Sequence, residues 1–211
     1  MKTMTKHLLA TALLAASTSA SAELSVNLGA MSDYYFRGID QTADNGSLTA
    51  GADYNFGNGF AIGTWAAQLD GSEFEYDLYG SYSAEAQGFS YDLGYAGYFY
   101  SEDGATDFHE VIFNGGYGPI SAQYVLGTED ASHGDEADYS FFSLTGEYKG
   151  AYLTYGSFGK DYDGDYAEAG YGLSVQGVDL SLAYVHQLDD LSGDGKKDKE
   201  LILTLSKTFD L

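Results

Sequence analysis

The sequence predicts an all-β protein, a transmembrane up-and-down antiparallel β-barrel of about 12 strands. Three observations predict this fold. Apolar and polar residues alternate along most of the chain, tight and long connections follow one another in turn, and no window after residue 22 holds the ~20 apolar residues of a membrane-spanning helix. Successive side chains of a strand point to opposite faces, so a wall between lipid and water requires this two-residue period.

The composition of the 211-residue chain suits such a barrel. Apolar residues make up 44% and aromatic residues 16%, which argues against a disordered chain. Glycine occurs 28 times and proline once, as Pro119, and this balance suits curved sheets with unbroken hydrogen-bond ladders. Cysteine is absent, so burial and backbone hydrogen bonds must hold the fold without disulfides.

Residues 1–22 have the pattern of a secretory signal peptide, which leaves residues 23–211 as a single outer-membrane barrel domain. Lys2 and Lys6 form a positive start, residues 8–16 are an apolar run, and small residues precede Glu23. Without the two lysines, 7 basic residues remain against 32 acidic ones, a net charge of 7 − 32 = −25. Nucleic acid is therefore excluded as a partner, because its phosphates would be repelled, and cationic partners stay open.

The alternation places the strands in chain order. The first covers residues 24–37, with Tyr34 and Phe36 among its lipid-facing positions, and a long polar loop separates it from the second at residues 48–56. The third covers residues 60–69, and Trp65 faces inward with small neighbours. The remaining nine are predicted at residues 74–82, 89–99, 108–117, 120–126, 139–148, 151–158, 167–175, 178–187 and 201–209.

Connection lengths test this assignment independently of the alternation. The connections after even-numbered strands are tight, at residues 57–59, 85–88, 118–119, 149–150 and 176–177. Those after odd-numbered strands are mostly longer and acidic, at residues 39–47, 70–73, 101–107, 128–138, 160–165 and 189–200. Outer-membrane barrels have short periplasmic turns and longer external loops, so both chain ends are predicted on the periplasmic side.

Two segments resemble a known family. SDYYFRGIDQT at residues 32–42 and GADYNFGNGFAIGTWA at residues 51–66 are similar to a proteobacterial outer-membrane family described as porins of the TorF type. The motifs are Phe36-Arg37-Gly38 and Gly63-Thr64-Trp65, and the closing LSKTF is also similar, although the chain continues to Leu211. The resemblance implies a barrel in the bacterial outer membrane with a transport role. It brings no catalytic residues and no substrate.

Turning the apolar positions outward places mostly acidic side chains in the lumen. The predicted pore-lining residues are Asp33, Arg37, Asp53, Trp65, Glu75, Asp77, Asp92, Glu110, Glu147, Glu168 and Asp179. A water-filled lumen so lined concentrates cations and excludes anions. The alternative is a filled barrel in which these carboxylates surround Arg37. Twelve strands fall between barrels that side chains fill and barrels that leave a channel, and we favour an open or gated pore.

Two inward residues are unique in the chain. Arg37 is the single arginine, and we expect it to form an ion pair with Asp33 or Asp53, because a buried charge needs a partner. Trp65 is the single tryptophan, and we expect it to fill part of the lumen by packing.

One acidic loop partly matches a calcium-binding pattern. Asp190, Ser192, Asp194 and Asp198 occupy alternating positions around a glycine, as in an EF-hand, but Leu201 stands where the pattern needs glutamate. Residues 161–165 are a shorter version. We favour solvated acidic loops and predict no cofactor, with calcium in the external loops as the alternative.

An enzyme is not expected. His109 and His186 are predicted to face lipid, and His133 beside Asp135 is the one candidate for a Ser-His-acid arrangement, with no marked serine. The predicted function is an outer-membrane porin for passive diffusion of small hydrophilic, preferentially cationic solutes, with membrane lipid and such solutes as its partners. The alternative is a non-transporting structural or adhesive barrel whose acidic loops bind cations.

Overall fold

The computed structural model describes residues 22–102, 105–130 and 137–211, so residues 1–21 of the predicted signal peptide lie outside it. The described residues form fourteen strands. Their bounds are β1 (Glu23–Met31), β2 (Tyr35–Phe36), β3 (Ile39–Asp40), β4 (Ser47–Asn55), β5 (Phe60–Gln68), β6 (Phe74–Ala86), β7 (Phe89–Tyr100), β8 (Asp107–Tyr117), β9 (Ile120–Asp130), β10 (Ala137–Tyr148), β11 (Ala151–Lys160), β12 (Gly164–Val175), β13 (Val178–Gln187) and β14 (Lys199–Asp210).

Twelve of these strands close into one antiparallel barrel, and β2 and β3 form a separate hairpin. Each barrel strand pairs with its neighbours in the chain, and closure comes from β1, whose Leu28 lies opposite Ala50 of β4 and Lys207 of β14. The predicted fold class is therefore confirmed. No helix among the described residues is long and apolar enough to cross a membrane.

The two faces of the barrel differ as the alternation predicts. Large apolar side chains cover the outside, and Leu28, Ile62 and Leu78 are each more than half exposed. Residues next to them along the strand point inward and are smaller or polar, such as Asn27, Ala61 and Asp77. An apolar exterior of this kind is stable against lipid chains, whereas in water it would be a large exposed hydrophobic surface.

All two-residue turns between barrel strands lie at one end of the barrel, together with the start of β1 and the end of β14; we call this the turn end. Three turns are two-residue pairs in which both residues have positive φ: Gln87-Gly88 (53° and 83°), Lys149-Gly150 (51° and 86°) and Gln176-Gly177 (54° and 75°). These are type I′ turns, whose twist matches that of the flanking strands. The longer connections lie at the opposite end, the loop end, so the predicted asymmetry is confirmed.

The first predicted strand is too long. β1 ends at Met31, and residues 32–46 form a loop, L1, that folds into the barrel. Within L1, Arg37 and Gly38 have φ of 49° and 82°, so the chain reverses there in the hairpin of β2 and β3. Tyr34 is buried and Phe36 is partly buried, although both were predicted to face lipid. A hairpin inside the lumen keeps the same two-residue period as a strand in the wall, which explains the error.

L1 packs on a hydrophobic core inside the barrel. The buried members come from L1 and from seven strands near their loop-end termini: Tyr35, Ala96, Tyr98, Ile112, Val125, Phe141, Tyr166, Val185 and Ile202. Close-packed side chains therefore occupy the lumen at the loop end. The favoured prediction of an open lumen does not describe this part of the barrel.

Candidate functional site

The centre of the site is an ion pair between L1 and the wall. Both terminal nitrogens of the Arg37 guanidinium donate to the two carboxylate oxygens of Glu110 on β8, with Nη2 at 2.9 Å from Oε2. The guanidinium carbon also lies 4.6 Å from the ring centres of Phe36 and Phe141. Arg37 is 6% exposed and Glu110 is 1% exposed. A bidentate pair shielded from water in this way is strongly orienting.

Glu110 has further donors that hold it in place. The hydroxyls of Tyr98 and Tyr139 donate to its carboxylate at 2.8 and 2.6 Å. Four hydrogen bonds thus converge on one buried carboxylate, which compensates the loss of its hydration. Glu110 is thus held in one position on the barrel wall, and L1 binds to it through Arg37.

The prediction that Arg37 forms an ion pair is confirmed, but the predicted partners are wrong. Asp33 accepts a hydrogen bond from Thr42 Oγ1 at 2.7 Å, and Asp53 accepts one from Tyr79 at 2.6 Å. The hairpin carries Arg37 across the lumen to a strand 73 residues further along the chain. A strand extending to residue 37 would have kept Arg37 beside Asp33.

Further contacts hold L1 to other strands of the barrel. The Tyr34 hydroxyl donates to Glu75 Oε1 at 2.7 Å, and its ring meets Trp65 edge-on with the centroids 5.5 Å apart. Gln187 Nε2 on β13 donates to the carbonyl oxygen of Gly38 at 2.8 Å. L1 is therefore bound to strands on opposite sides of the barrel, β8 and β13. Trp65 fills space by packing, as predicted.

The structure divides the predicted pore-lining residues between three places. Asp33 and Arg37 lie on L1 instead of on a strand. Glu75, Asp77 and Glu110 lie on inner faces at the loop end and are at most 5% exposed. The others, also on inner faces, are the buried Trp65 and the half-buried Asp53, Asp92, Glu147, Glu168 and Asp179.

The turn end of the lumen keeps its acidic character. Asp92 accepts hydrogen bonds from Ser83 Oγ at 2.7 Å and Asn114 Nδ2 at 3.0 Å, and it remains half-buried. Asp53 and Asp179 lie at similar depths on other strands. This end can therefore attract cations, while the loop end is narrowed by L1.

The predicted calcium ligands are engaged with their own loop. Asp190 accepts from the backbone N–H groups of Gly193 and Gly195, both at 2.8 Å. Asp194 forms an ion pair with Lys196 at 3.2 Å, and Ser192 Oγ lies 3.3 Å from Asp198 Oδ2. In the described ranges, the carboxylates that approach closely enough to share a metal are instead Asp33, Asp40 and Asp44.

Two of the histidines considered for catalysis, His109 and His186, lie on the outer face of the barrel. His109 lies on the outer face, where its Nδ1 is 2.8 Å from the hydroxyl of Tyr95, and His186 packs near Tyr184 on the outside of β13. His133 and Asp135 lie outside the described residues.

Several residues of the site were missed by the sequence analysis. Tyr98, Tyr139, Phe141 and Gln187 all contact L1 or its ion pair, but nothing in the alternation separates them from other inward side chains. One signal was present: Arg37-Gly38 has the same residue-plus-glycine form as the type I′ turns at the turn end.

The fold is a closed antiparallel barrel of twelve strands with an apolar outer face. The chain belongs to the family described as "Bacterial protein of unknown function (Gcw_chp)", which matches residues 15–209. No curated protein matches the chain.

Two solved structures are similar in fold. The KdgM porin is 10% identical with a TM-score of 0.57, and the match covers 88% of this chain and 99% of that one. The KdgM porin in complex with disordered oligogalacturonate is 8% identical, also with a TM-score of 0.57, over 89% and 99% of the two chains. At such identities the similarity concerns the fold alone.

Proposed function

We propose that the protein is an outer-membrane porin through which small hydrophilic, preferentially cationic solutes diffuse passively. The observation that carries this proposal is a closed barrel with an apolar exterior and an inner face rich in carboxylates, against one lumenal guanidinium, Arg37. The sign of the charge lining a pore selects the permeant ion. The resemblance to TorF-type porins supports the same function.

The orientation follows from the porin fold. We place the turn end and both chain ends on the periplasmic side and the acidic loops on the outside, with membrane lipid around the apolar band. The outer loops then form an acidic entrance that raises the local concentration of cations.

L1 is the constriction of the proposed pore. It is held by Glu110 on one wall and by Glu75 and Gln187 on others, so solutes must pass beside it or displace it. The pore should therefore conduct less than an empty twelve-stranded barrel.

We do not propose oligogalacturonate, the molecule bound in the KdgM complex, as a solute of this protein. That porin is solved in complex with oligogalacturonate, which is an anionic oligosaccharide. An acidic lumen opposes an anionic ligand, so the similar fold carries a different solute class here.

Solute flux into proteoliposomes tests the proposal. Purified protein is reconstituted without its signal segment, and the uptake of an organic cation is compared with that of an anion and a neutral solute of matched size. We expect uptake in the order cation, neutral solute, anion, with protein-free liposomes as the control. Equal uptake of all three, or uptake no faster than in the control, would contradict the proposed function.

A second candidate is a non-transporting barrel with a structural or adhesive role. The observation that favours it is the packed core at the loop end, where Tyr35 and Phe141 are at most 7% exposed. In planar bilayers this candidate predicts an electrically silent protein whose loops take up calcium, whereas the porin predicts stepwise current.

A further inference from the structure

Buried charge at the loop end is not balanced by the protein itself. Glu75, Asp77 and Glu110 are at most 5% exposed, and Arg37 is the one buried basic side chain in the ranges that the structure describes. Both terminal nitrogens of Arg37 bind Glu110. Glu75 and Asp77 are therefore buried without a basic partner, an arrangement that is unfavourable for ionised carboxylates unless another positive charge is present.

Asp77 carries the clearest sign of a missing partner. Its Oδ1 atom is fully buried and receives no hydrogen bond from any described residue. Unsatisfied buried oxygens are rare in folded proteins, and each calls for a partner such as an ion. The other charged group nearby, Glu75, lies two residues earlier on the same inner face of β6, about 7 Å along the strand.

Aromatic side chains surround Asp77. Its cross-strand neighbours are Trp65 on β5 and Tyr98 on β7. Tyr34 of L1 covers the group, because its ring contacts Trp65 and its hydroxyl binds Glu75. Aromatic rings attract cations, so a buried carboxylate next to aromatic residues is a favourable environment for a small positive ion.

We propose that Asp77 and Glu75 bind one small monovalent cation, of the size of sodium, potassium or ammonium, between β6 and L1. This inference deepens the proposed function and rests on it, since it places a binding step for permeant cations at the constriction. Calcium fits poorly, because its sites in proteins gather several carboxylates around one ion. The one group of three mutually close acidic side chains in the described ranges excludes both Asp77 and Glu75. Asp77 and Glu75 are at most 5% exposed, so their carboxylates are poorly accessible to a large organic ion.

The test uses thermal unfolding of the full mature chain in detergent or nanodiscs. Potassium chloride is compared with choline chloride at equal ionic strength, since choline is too large for the site. We expect a higher Tm in potassium, rising by about 3 °C for each tenfold increase above half-saturation. Asp77→Asn should abolish this difference. Asp179→Asn, a half-buried inner-face residue at the turn end, is the matched control and should retain it.

The Tm of Asp77→Asn in choline distinguishes the loss of the cation site from a damaged fold. Asp77→Asn removes an unbalanced buried charge, so its Tm in choline should equal or exceed that of the wild type. A wild-type Tm that is the same in both salts, or a potassium effect that survives in Asp77→Asn, would overturn the inference. A Tm that responds to pH but not to potassium would also overturn it, because a proton would then neutralise the pair.

Planar-bilayer recordings on the same samples separate this inference from the proposed function. Potassium stabilisation that depends on Asp77, in a protein that carries no current, supports the site and contradicts the porin. Cation-selective current without potassium stabilisation supports the porin and contradicts the site.

Discussion

Replacing Glu110 by glutamine should release L1 from the lumen. Glutamine has nearly the same shape, so the change creates no cavity, but it leaves the Arg37 guanidinium charged and buried without a carboxylate. Removing one member of a buried ion pair costs about 3–5 kcal/mol. Since 1.4 kcal/mol is a factor of ten, the ratio of docked to released L1 should fall by about 10²- to 10⁴-fold.

Trp65 provides the assay for this change. It is the chain's single tryptophan, it is 8% exposed, and Tyr34 of L1 lies edge-on to it. When L1 leaves, Trp65 loses this cover and meets lumenal water, so its fluorescence emission should shift to longer wavelength. The single-channel conductance should rise in the same samples, because the constriction has opened.

A second variant shows whether the ion pair is the cause. Arg37→Met combined with Glu110→Gln removes both charges together, and most of the docking should return, because no unpaired charge remains buried. Arg37→Met alone should release L1, because Glu110 then lacks its cation. A folded Glu110→Gln barrel with wild-type emission and conductance would refute the reasoning.

Three further changes are predicted from the same geometry. Gly38→Ala should undock L1, because a Cβ there would lie 2.6 Å from the ring of Tyr166. The Trp65 emission assay measures this, and Gly71→Ala is the control, because Gly71 has a similarly positive φ but no atom lies within 4 Å of a Cβ there. Burial, with smaller contributions from neighbouring carboxylates of L1, raises the pKa of Asp33 from 3.8 to about 6. Docked L1 therefore binds a proton more tightly than released L1, so docking should weaken as the pH rises from 4 through 6, and emission of the Asp33→Asn variant should lack this pH dependence. Asp179→Lys replaces a half-buried carboxylate at the turn end by a positive charge and should reduce the preference for cations. The measurement is the uptake ratio of cation to anion in proteoliposomes, which should fall.

The barrel could be predicted because its constraint is local and repeats in every strand. Apolar and polar residues must alternate along each wall strand, and the tight turns follow the even-numbered strands of the barrel. Twelve strands, each with a weak signal of its own, therefore support the same fold. β5 illustrates this: the alternation places Trp65 inward, and both Trp65 and Ala67, two residues further on, are buried in the lumen.

L1 could not be predicted by the same means. Tyr34 and Phe36 alternate with polar residues whether they face lipid or form a hairpin inside the barrel, so the period gives the same answer for both. The turn signal at Arg37-Gly38 was the one local difference. This signal is weak in the sequence, because pairs of the same form, such as Tyr79-Gly80 in β6 and Leu126-Gly127 in β9, lie inside wall strands.

The partner of Arg37 also could not be predicted from the sequence. Glu110 is 73 residues away in the chain, and several inward carboxylates satisfy the same charge requirement. Choosing among them requires the path of L1, which depends on packing against Phe141 and on the hydrogen bond from Gln187.

The reversal potential of the reconstituted protein in a salt gradient tests the central claim most directly. With potassium chloride at different concentrations on the two sides of a planar bilayer, an acidic lumen predicts a reversal potential displaced toward the potassium equilibrium potential. The displacement should shrink at high salt, where the lumenal charges are screened. A reversal potential at zero, or one displaced toward chloride, would contradict a cation-preferring pore.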